Sequence, residues 1–212
     1  MSKERRETVT CPECGNVQNF IVWQSLNGDL NPEAKQQLLD GILFRFVCSK
    51  CGYTSHVDYN MLYHDMTHKA MIYYVKEEFV EQTIDAMTDA ENKMGFAMSG
   101  YRKRIVTDQN TLREKAIIFE HGLDDRVIEI IKFIYLANAG ENFPEAKIKT
   151  IYFLMMDDKY TLALIGDSQL SAEIPNNMYD EVKAEFAERL ETADDNGCIA
   201  VDIRWAMDFL KE

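Results

Sequence analysis

The sequence predicts an α+β chain, with a β-rich N-terminal region carrying a helical insert, a helical middle region, and a C-terminal antiparallel sheet with helices. Three observations predict it. Short β-branched and aromatic runs alternate with turn residues over about 8–76. Apolar residues then recur at helical spacing over about 77–140. From about 146 to the end the pattern reads β-β-β-α-β-α.

Each element has its own local cause. Thr8 to Thr10 leads into Cys11, and Val17 to Trp23 reads as a strand. Asn31-Pro32-Glu33 starts a helix, with Asn as N-cap and Pro at the first helical position. Leu38 and Leu39 give that helix an apolar side, and Gly41 suits the left-handed position after it. Ile42 to Val47 is a second strand running into Cys48. Tyr53 to Tyr59 is a third and Ala70 to Val75 a fourth.

In the middle region Val80, Ile84, Met87 and Met94 form a helical stripe that Gly95 and Gly100 interrupt. Tyr101 to Val106 is a short strand. Thr111-Leu112-Arg113-Glu114 has the form of a capping box, and Gly122 closes that helix. Asp124 caps the next one, with Asp125 favourably placed in its first turn. That helix holds Val127, Ile128, Ile130, Ile131, Phe133 and Leu136, and being apolar nearly all round it should be buried on several sides. Asn138 to Pro144 is the best boundary between two parts of the chain. Beyond it, Ile148–Met156 and Tyr160–Ile165 flank an Asp157-Asp158-Lys159 turn, and Leu170 to Ile174 follows as a strand. Met178, Val182, Phe186 and Leu190 mark one helix. After an Asp194 to Gly197 turn, Cys198 to Ile203 is a short strand and Trp205 and Phe209 lie on a last helix.

Composition excludes several classes. With 46% hydrophobic and 28% charged residues, the chain is not expected to be disordered. No apolar run reaches membrane-spanning length, and no apolar segment follows the charged start Lys3 to Glu7. The expected location is therefore the cytoplasm, where cysteines serve as metal ligands or free thiols more than as disulfides. Net charge is −13, but residues 1–60 contribute only −1 of it. Most of this surface is a poor match for a phosphate backbone, which calls for clustered Lys and Arg.

The cysteines carry the most specific pattern. Cys11-Pro12-Glu13-Cys14-Gly15 is echoed by Cys48-Ser49-Lys50-Cys51-Gly52, with 33 residues between the pairs. Two thiolates three positions apart can grip one metal from a tight turn, and the following glycine permits positive φ. Two such knuckles predict one tetrahedral four-cysteine site of the zinc-ribbon type, with the helix after Asn31 as an insertion between them. Zinc is the expected occupant. Iron is the lesser alternative, since sulfur ligation alone does not separate the two. A thiol–disulfide exchange site is disfavoured, because a strand rather than a helix follows Cys14 and a second pair is present. Four protein thiolates fill the shell, so the metal is expected to be structural.

Cys11-Pro12-Glu13-Cys14, the Asn31-Pro32 insert, the pair Cys48 and Cys51, and Leu62-Tyr63-His64-Asp65-Met66 together resemble the bacterial CpXC domain. The similarity runs from about residue 8 to about 135 and includes Gly122 to Val127. It implies a CpXC-like domain over 8–140, a ribbon part at about 8–76 and a helical part at about 77–140. A separate C-terminal α+β domain follows over 144–212. Ser49 departs from the family pattern, which has Pro there, and this is not expected to impair metal binding. The resemblance implies bacterial origin but no reaction.

Weaker patterns receive ordinary readings. His64-Asp65-Met66-Thr67-His68 superficially resembles a metalloprotease signature, but Asp stands in place of Glu and no long helix surrounds it. A loop with common hydrogen bonds is expected instead. Arg102-Lys103-Arg104 reads as a solvated strand edge or as partners of nearby acids. His121 favours a helix C-terminus. Cys198 reads as an inert thiol. No phosphate loop or nucleophile elbow is present.

The function expected from the sequence is a non-catalytic metal-binding protein that works through a protein partner. Its alternatives are an enzyme with a site in the C-terminal or interdomain region and, second, nucleic-acid binding through the ribbon. No catalytic or cofactor-binding residue is assigned, and the metal ligands are Cys11, Cys14, Cys48 and Cys51.

Overall fold

The computed structural model describes residues 1–94, 100–142, 147–175, 177–193 and 197–211. The expected break at Gly95, the Asp194 to Asn196 turn and the end of the expected boundary at Phe143 and Pro144 lie outside them. The chain forms two compact units, Met1–Arg113 and Glu114–Glu212.

The first unit opens with a long hairpin, β1 (Lys3–Thr10) and β2 (Val17–Asn27), paired antiparallel from Thr10↔Val17 to Glu4↔Trp23. Helix α1 (Pro32–Leu39) and a two-stranded hairpin, β3 (Arg45–Val47) with β4 (Thr54–His56), follow. The chain then returns to the main sheet as β5 (Met61–Asp65), which pairs parallel with the end of β2 at Ser25, Leu26 and Asn27. A parallel connection needs a long crossover, and α1 with the β3–β4 hairpin supplies it. β5 turns antiparallel into β6 (Ala70–Tyr74). A 3₁₀ turn at Glu77–Phe79 and helix α2 (Val80–Met94) then precede β7 (Arg102–Val106), which is parallel to β6. The sheet order in this unit is β1-β2-β5-β6-β7. Leu26, Leu38, Tyr63, Ala70 and Ile72 are buried against one another's elements as its core.

Several local expectations change in this unit. Lys3 to Glu7 forms strand despite its charges, because both faces stay solvated while its backbone pairs with β2. The strand expected from Ile42 starts only at Arg45, since the N–H groups of Ile42 and Leu43 both donate to Gln37 O and prolong the helix end. Gly41 takes the left-handed conformation there, at φ 73°. Asn31 precedes the helix without capping it through its side chain, which accepts from the Ser2 hydroxyl instead. His64 and Asp65, expected in a loop, end strand β5. Lys103 and Arg104 are 5% and 0% exposed, so the basic run is buried and not a solvated edge.

Helix α3 (Gln109–Glu120) carries the chain from the first unit into the second. Asp108 caps it by accepting from the N–H groups of Asn110 and Thr111, both at 2.9 Å. That geometry replaces the expected Thr111–Glu114 box. Gly122 closes the helix at φ 66°, as expected, and His121 Nδ1 lies 2.9 Å from Ile117 O.

In the second unit helix α4 (Asp125–Asn142) packs against strand β8 (Thr150–Met156), helix α5 (Met178–Glu185) and helix α7 (Ile203–Lys211). Strands β8, β9 (Lys159–Ile165) and β10 (Gln169–Glu173) form an antiparallel sheet in the order β10-β9-β8. Asp157 and Asp158, at φ 49° and 60°, make the tight turn between β8 and β9 that their type favours. The single helix expected through Phe186 and Leu190 is broken at Phe186, with α6 (Ala187–Thr192) continuing beyond it. The strand β11 is only Cys198–Ile199, and Ile203 already begins α7.

The first half of helix α4 is buried nearly all round, with Val127, Ile128, Ile130 and Ile131 at 0%, while Phe133 to Leu136 are half-buried. It also hides charge. Lys132 Nζ lies 2.9 Å from Glu114 Oε1 and 3.0 Å from Glu129 Oε1. Lys115 Nζ lies 2.9 Å from Glu129 Oε1 and 3.1 Å from Asp125 Oδ2. Glu114 Oε1 also accepts from Phe153 N–H at 2.6 Å, tying the network to β8. Glu114 and Asp125, expected as helix-end residues, are therefore interior ion-pair partners.

Candidate metal centre

Both cysteine pairs sit at the tips of hairpins, which is where a C-x-x-C turn needs to be. Cys11 follows β1 and Asn16 precedes β2; Cys48 follows β3 and Tyr53 precedes β4. The two turns share one hydrogen-bond pattern. Cys11 N–H donates to Asn16 O and Gly15 N–H to Cys11 O, at 2.8 and 3.0 Å. Cys48 N–H donates to Tyr53 O and Gly52 N–H to Cys48 O, at 2.8 and 2.9 Å. Gly15 and Gly52 adopt φ 68° and 74°, the left-handed region a side chain would strain.

The turns face each other. Cys11 Sγ lies 3.7 Å from Cys51 Sγ, and Cys14 Sγ lies 3.6 Å from Cys48 Sγ. All four sulfurs fall within 4.8 Å of one another. Four sulfurs placed tetrahedrally about 2.3 Å from a common centre are about 3.8 Å apart, so the set fits one ion of that size. The four are free thiols. A small apolar cluster backs them, with Cys11, Phe46 and Cys48 buried and Val9, Phe20, Tyr53 and Val57 packed around.

Crowded sulfurs cannot all carry charge unaided. The Cys51 N–H, set against burial and helped by the Lys50 N–H and the Cys14 and Cys11 thiols, draws the Cys48 thiol down to about 6. For Cys51 the Tyr53 N–H also lowers the value, but the hydrogen bonds shared with Cys14, Cys48 and Cys11, with burial, push it up to about 12. The crowding thus favours the thiolate at Cys48 and the thiol at Cys51. A divalent cation would replace those protons and let every sulfur ionise.

The cluster gathers all four predicted ligands and none of the weaker candidates. His64 lies on β5, with Nδ1 3.3 Å from Asn27 Nδ2 and Nε2 3.2 Å from the Tyr101 hydroxyl. His68 Nδ1 lies 3.0 Å from Asp65 Oδ2, and the buried Asp65 also accepts from Lys35 and Tyr63. Asp65 is held below the usual carboxylate range: burial works against this, but the His68 side chain and N–H and the Lys35 charge outweigh it. The two histidines thus serve separate hydrogen-bond sets, His64 with Asn27 and Tyr101 and His68 with Asp65 in the β5–β6 turn. Sequence reasoning missed the polar residues around the sulfurs, notably Asn16, whose Nδ2 lies 3.8 Å from Cys48 Sγ. No spacing rule marks such a residue.

The family model described as CpXC protein matches residues 9–132, more than half of the chain and all four cysteines. The chain belongs to the CpXC family. The match spans the residues that carried the resemblance in sequence, the paired knuckles and Gly122 to Val127 among them. No curated protein and no solved structure matches this CpXC chain. Among its described residues no helix is long and apolar enough to cross a membrane.

Proposed function

We propose that this CpXC protein binds one structural zinc through Cys11, Cys14, Cys48 and Cys51, in a zinc-ribbon-like arrangement, and acts by contact with another protein. The observation that carries the metal reading is the convergence of four free sulfurs at separations a tetrahedral thiolate site requires. With four protein ligands the shell is complete, which suits a structural ion and leaves no position for water or substrate. On this reading CpXC-like and C-terminal domains divide the chain near residue 140.

A groove beside the centre supports the contact reading. It has a volume of about 690 Å³ and runs between β2, α1 and the approach to β3. Ile21, Leu30, Ile42 and Val47 line it and are 43%, 60%, 36% and 45% exposed. Trp23 lies at its base, 8% exposed. Several aliphatic side chains exposed side by side mark an interaction surface more than scattered single ones do. Two carboxylates, Glu4 and Glu33, outnumber the one guanidinium, Arg45, along it. The occupant this charge balance selects is a partner segment with apolar side chains flanked by basic ones.

A photo-crosslinking residue placed at Leu30 tests this, with the same residue at Phe79, which is exposed but outside the groove, as control. The Leu30 position should join a single protein through a basic, apolar segment, and Ile21→Glu should abolish the product. Equal products from both positions, or a product indifferent to Ile21→Glu, would reject the groove. Turnover of a small molecule in an unbiased screen, with no crosslinked partner, would favour the enzyme alternative.

A further inference from the structure

The two knuckles belong to different hairpins. Among the described residues no backbone ladder joins β2 to β3, although Cys11 and Cys14 depend on the first hairpin and Cys48 and Cys51 on the second. One side chain crosses that gap with both of its polar ends. Gln18, on β2, donates from Nε2 to Val47 O at 2.9 Å. Its Oε1 accepts from Ser49 N–H at 2.8 Å and from the Ser49 hydroxyl at 3.0 Å. Asn16 Nδ2 closes the set, 3.2 Å from Gln18 Oε1, 3.3 Å from Ser49 Oγ and 3.8 Å from Cys48 Sγ.

Ser49 gives this set its meaning. It occupies the place in the second knuckle that Pro12 occupies in the first. Proline has no N–H and no hydroxyl, so it could offer Gln18 neither of the two donors that Ser49 presents. The departure of this chain from the paired Cys-Pro pattern therefore adds the two Ser49 bonds to the one that Gln18 makes with Val47 O.

We propose that Gln18 is a positioning residue that braces the two knuckles through Ser49 and so slows release of the metal. The inference rests on the four-cysteine metal reading. A brace that holds Cys48 and Cys51 in place opposite Cys11 and Cys14 lowers the ordering cost of binding and opposes the opening by which an ion escapes. Loss of hydrogen-bonded groups around metal ligands typically costs ten- to a hundredfold in affinity.

The test is the rate at which zinc-loaded full-length protein loses metal to a chromogenic chelator, with metal content measured on each sample. Gln18→Ala should still bind about one zinc and lose it about tenfold faster. Ser49→Pro, which keeps a knuckle geometry already seen at Pro12, should accelerate loss by a smaller factor, because the bond to Val47 O survives. The double variant should match Gln18→Ala within about twofold, since the bonds to Gln18 that Ser49→Pro removes are already lost in Gln18→Ala. Rates for all variants within twofold of the parent, or single effects that multiply in the double variant, would overturn the brace. Cys14→Ser is the control for the reading beneath it. Full retention of zinc in that variant would overturn the four-cysteine centre itself.

Discussion

Replacing any one of Cys11, Cys14, Cys48 or Cys51 by Ser should reduce bound metal from about one per chain to a small fraction and lower the stability of the first unit by about 3 kcal/mol or more. The cause is linkage. A metal site assembled from two hairpins does not exist in the unfolded chain, so its binding free energy adds to folding. For small zinc domains this is on the order of 10 kcal/mol, and here part of the unit keeps its own core of Leu26, Tyr63 and Ile72. In a thermal melt of the first unit the change should appear as a loss of about 12 °C or more. Cys198→Ser should be nearly silent, because Cys198 has no paired cysteine in the sequence. Equal tolerance of all five changes would reject the cysteine assignment.

Lys132→Met should cost about 3–5 kcal/mol, an effect confined to the second unit's own core. Lys132 Nζ is the shared partner of Glu114 and Glu129, and all three are almost fully buried. Burial alone would depress the ammonium, but the two carboxylates reverse this and hold it above the ordinary lysine range. A lysine whose folded value is raised contributes its full stabilisation below the ordinary lysine value and loses it only as pH rises through the folded one. At neutral pH the contribution is complete. Removing the ammonium leaves Glu129 to share Lys115, 2.9 Å from its Oε1, while its Oε2 already has no hydrogen-bond partner among the described residues. Burial already pushes Glu114 up, against the pull of Lys132. Lys149→Met is the control, since Lys149 is 74% exposed and should change stability by less than about 0.5 kcal/mol. Similar melting curves for the two variants would contradict the interior ion-pair account.

The parts of this structure that were legible in sequence are those whose cause is local. The repeated C-x-x-C-G spelling reports a turn, a glycine at positive φ and two converging thiols, all within five residues. Asp157-Asp158 and Gly122 announced a turn and a helix end for the same reason. The apolar run announced burial correctly from Val127 to Ile131, while Phe133 to Leu136 stay half-buried. What was hidden depends on partners far along the chain. Lys3 to Glu7 becomes strand only because β2 offers it a ladder. Arg104 and Lys103 are buried because β7 pairs with β6, which no charge count foretells. Glu114 looked like a capping residue until Lys132, eighteen positions on, claimed it. Gln18 and Ser49 gave no signal in isolation, since their meaning lies in a contact 31 residues apart.

Metal content, measured together with X-ray absorption on protein purified without added metal or chelator, tests the central claim most directly. The account predicts about one zinc per chain and a first shell of four sulfurs at about 2.3 Å, in a colourless sample. A red protein whose edge and visible absorption report iron, or a preparation with almost no metal and four titratable thiols, would contradict it.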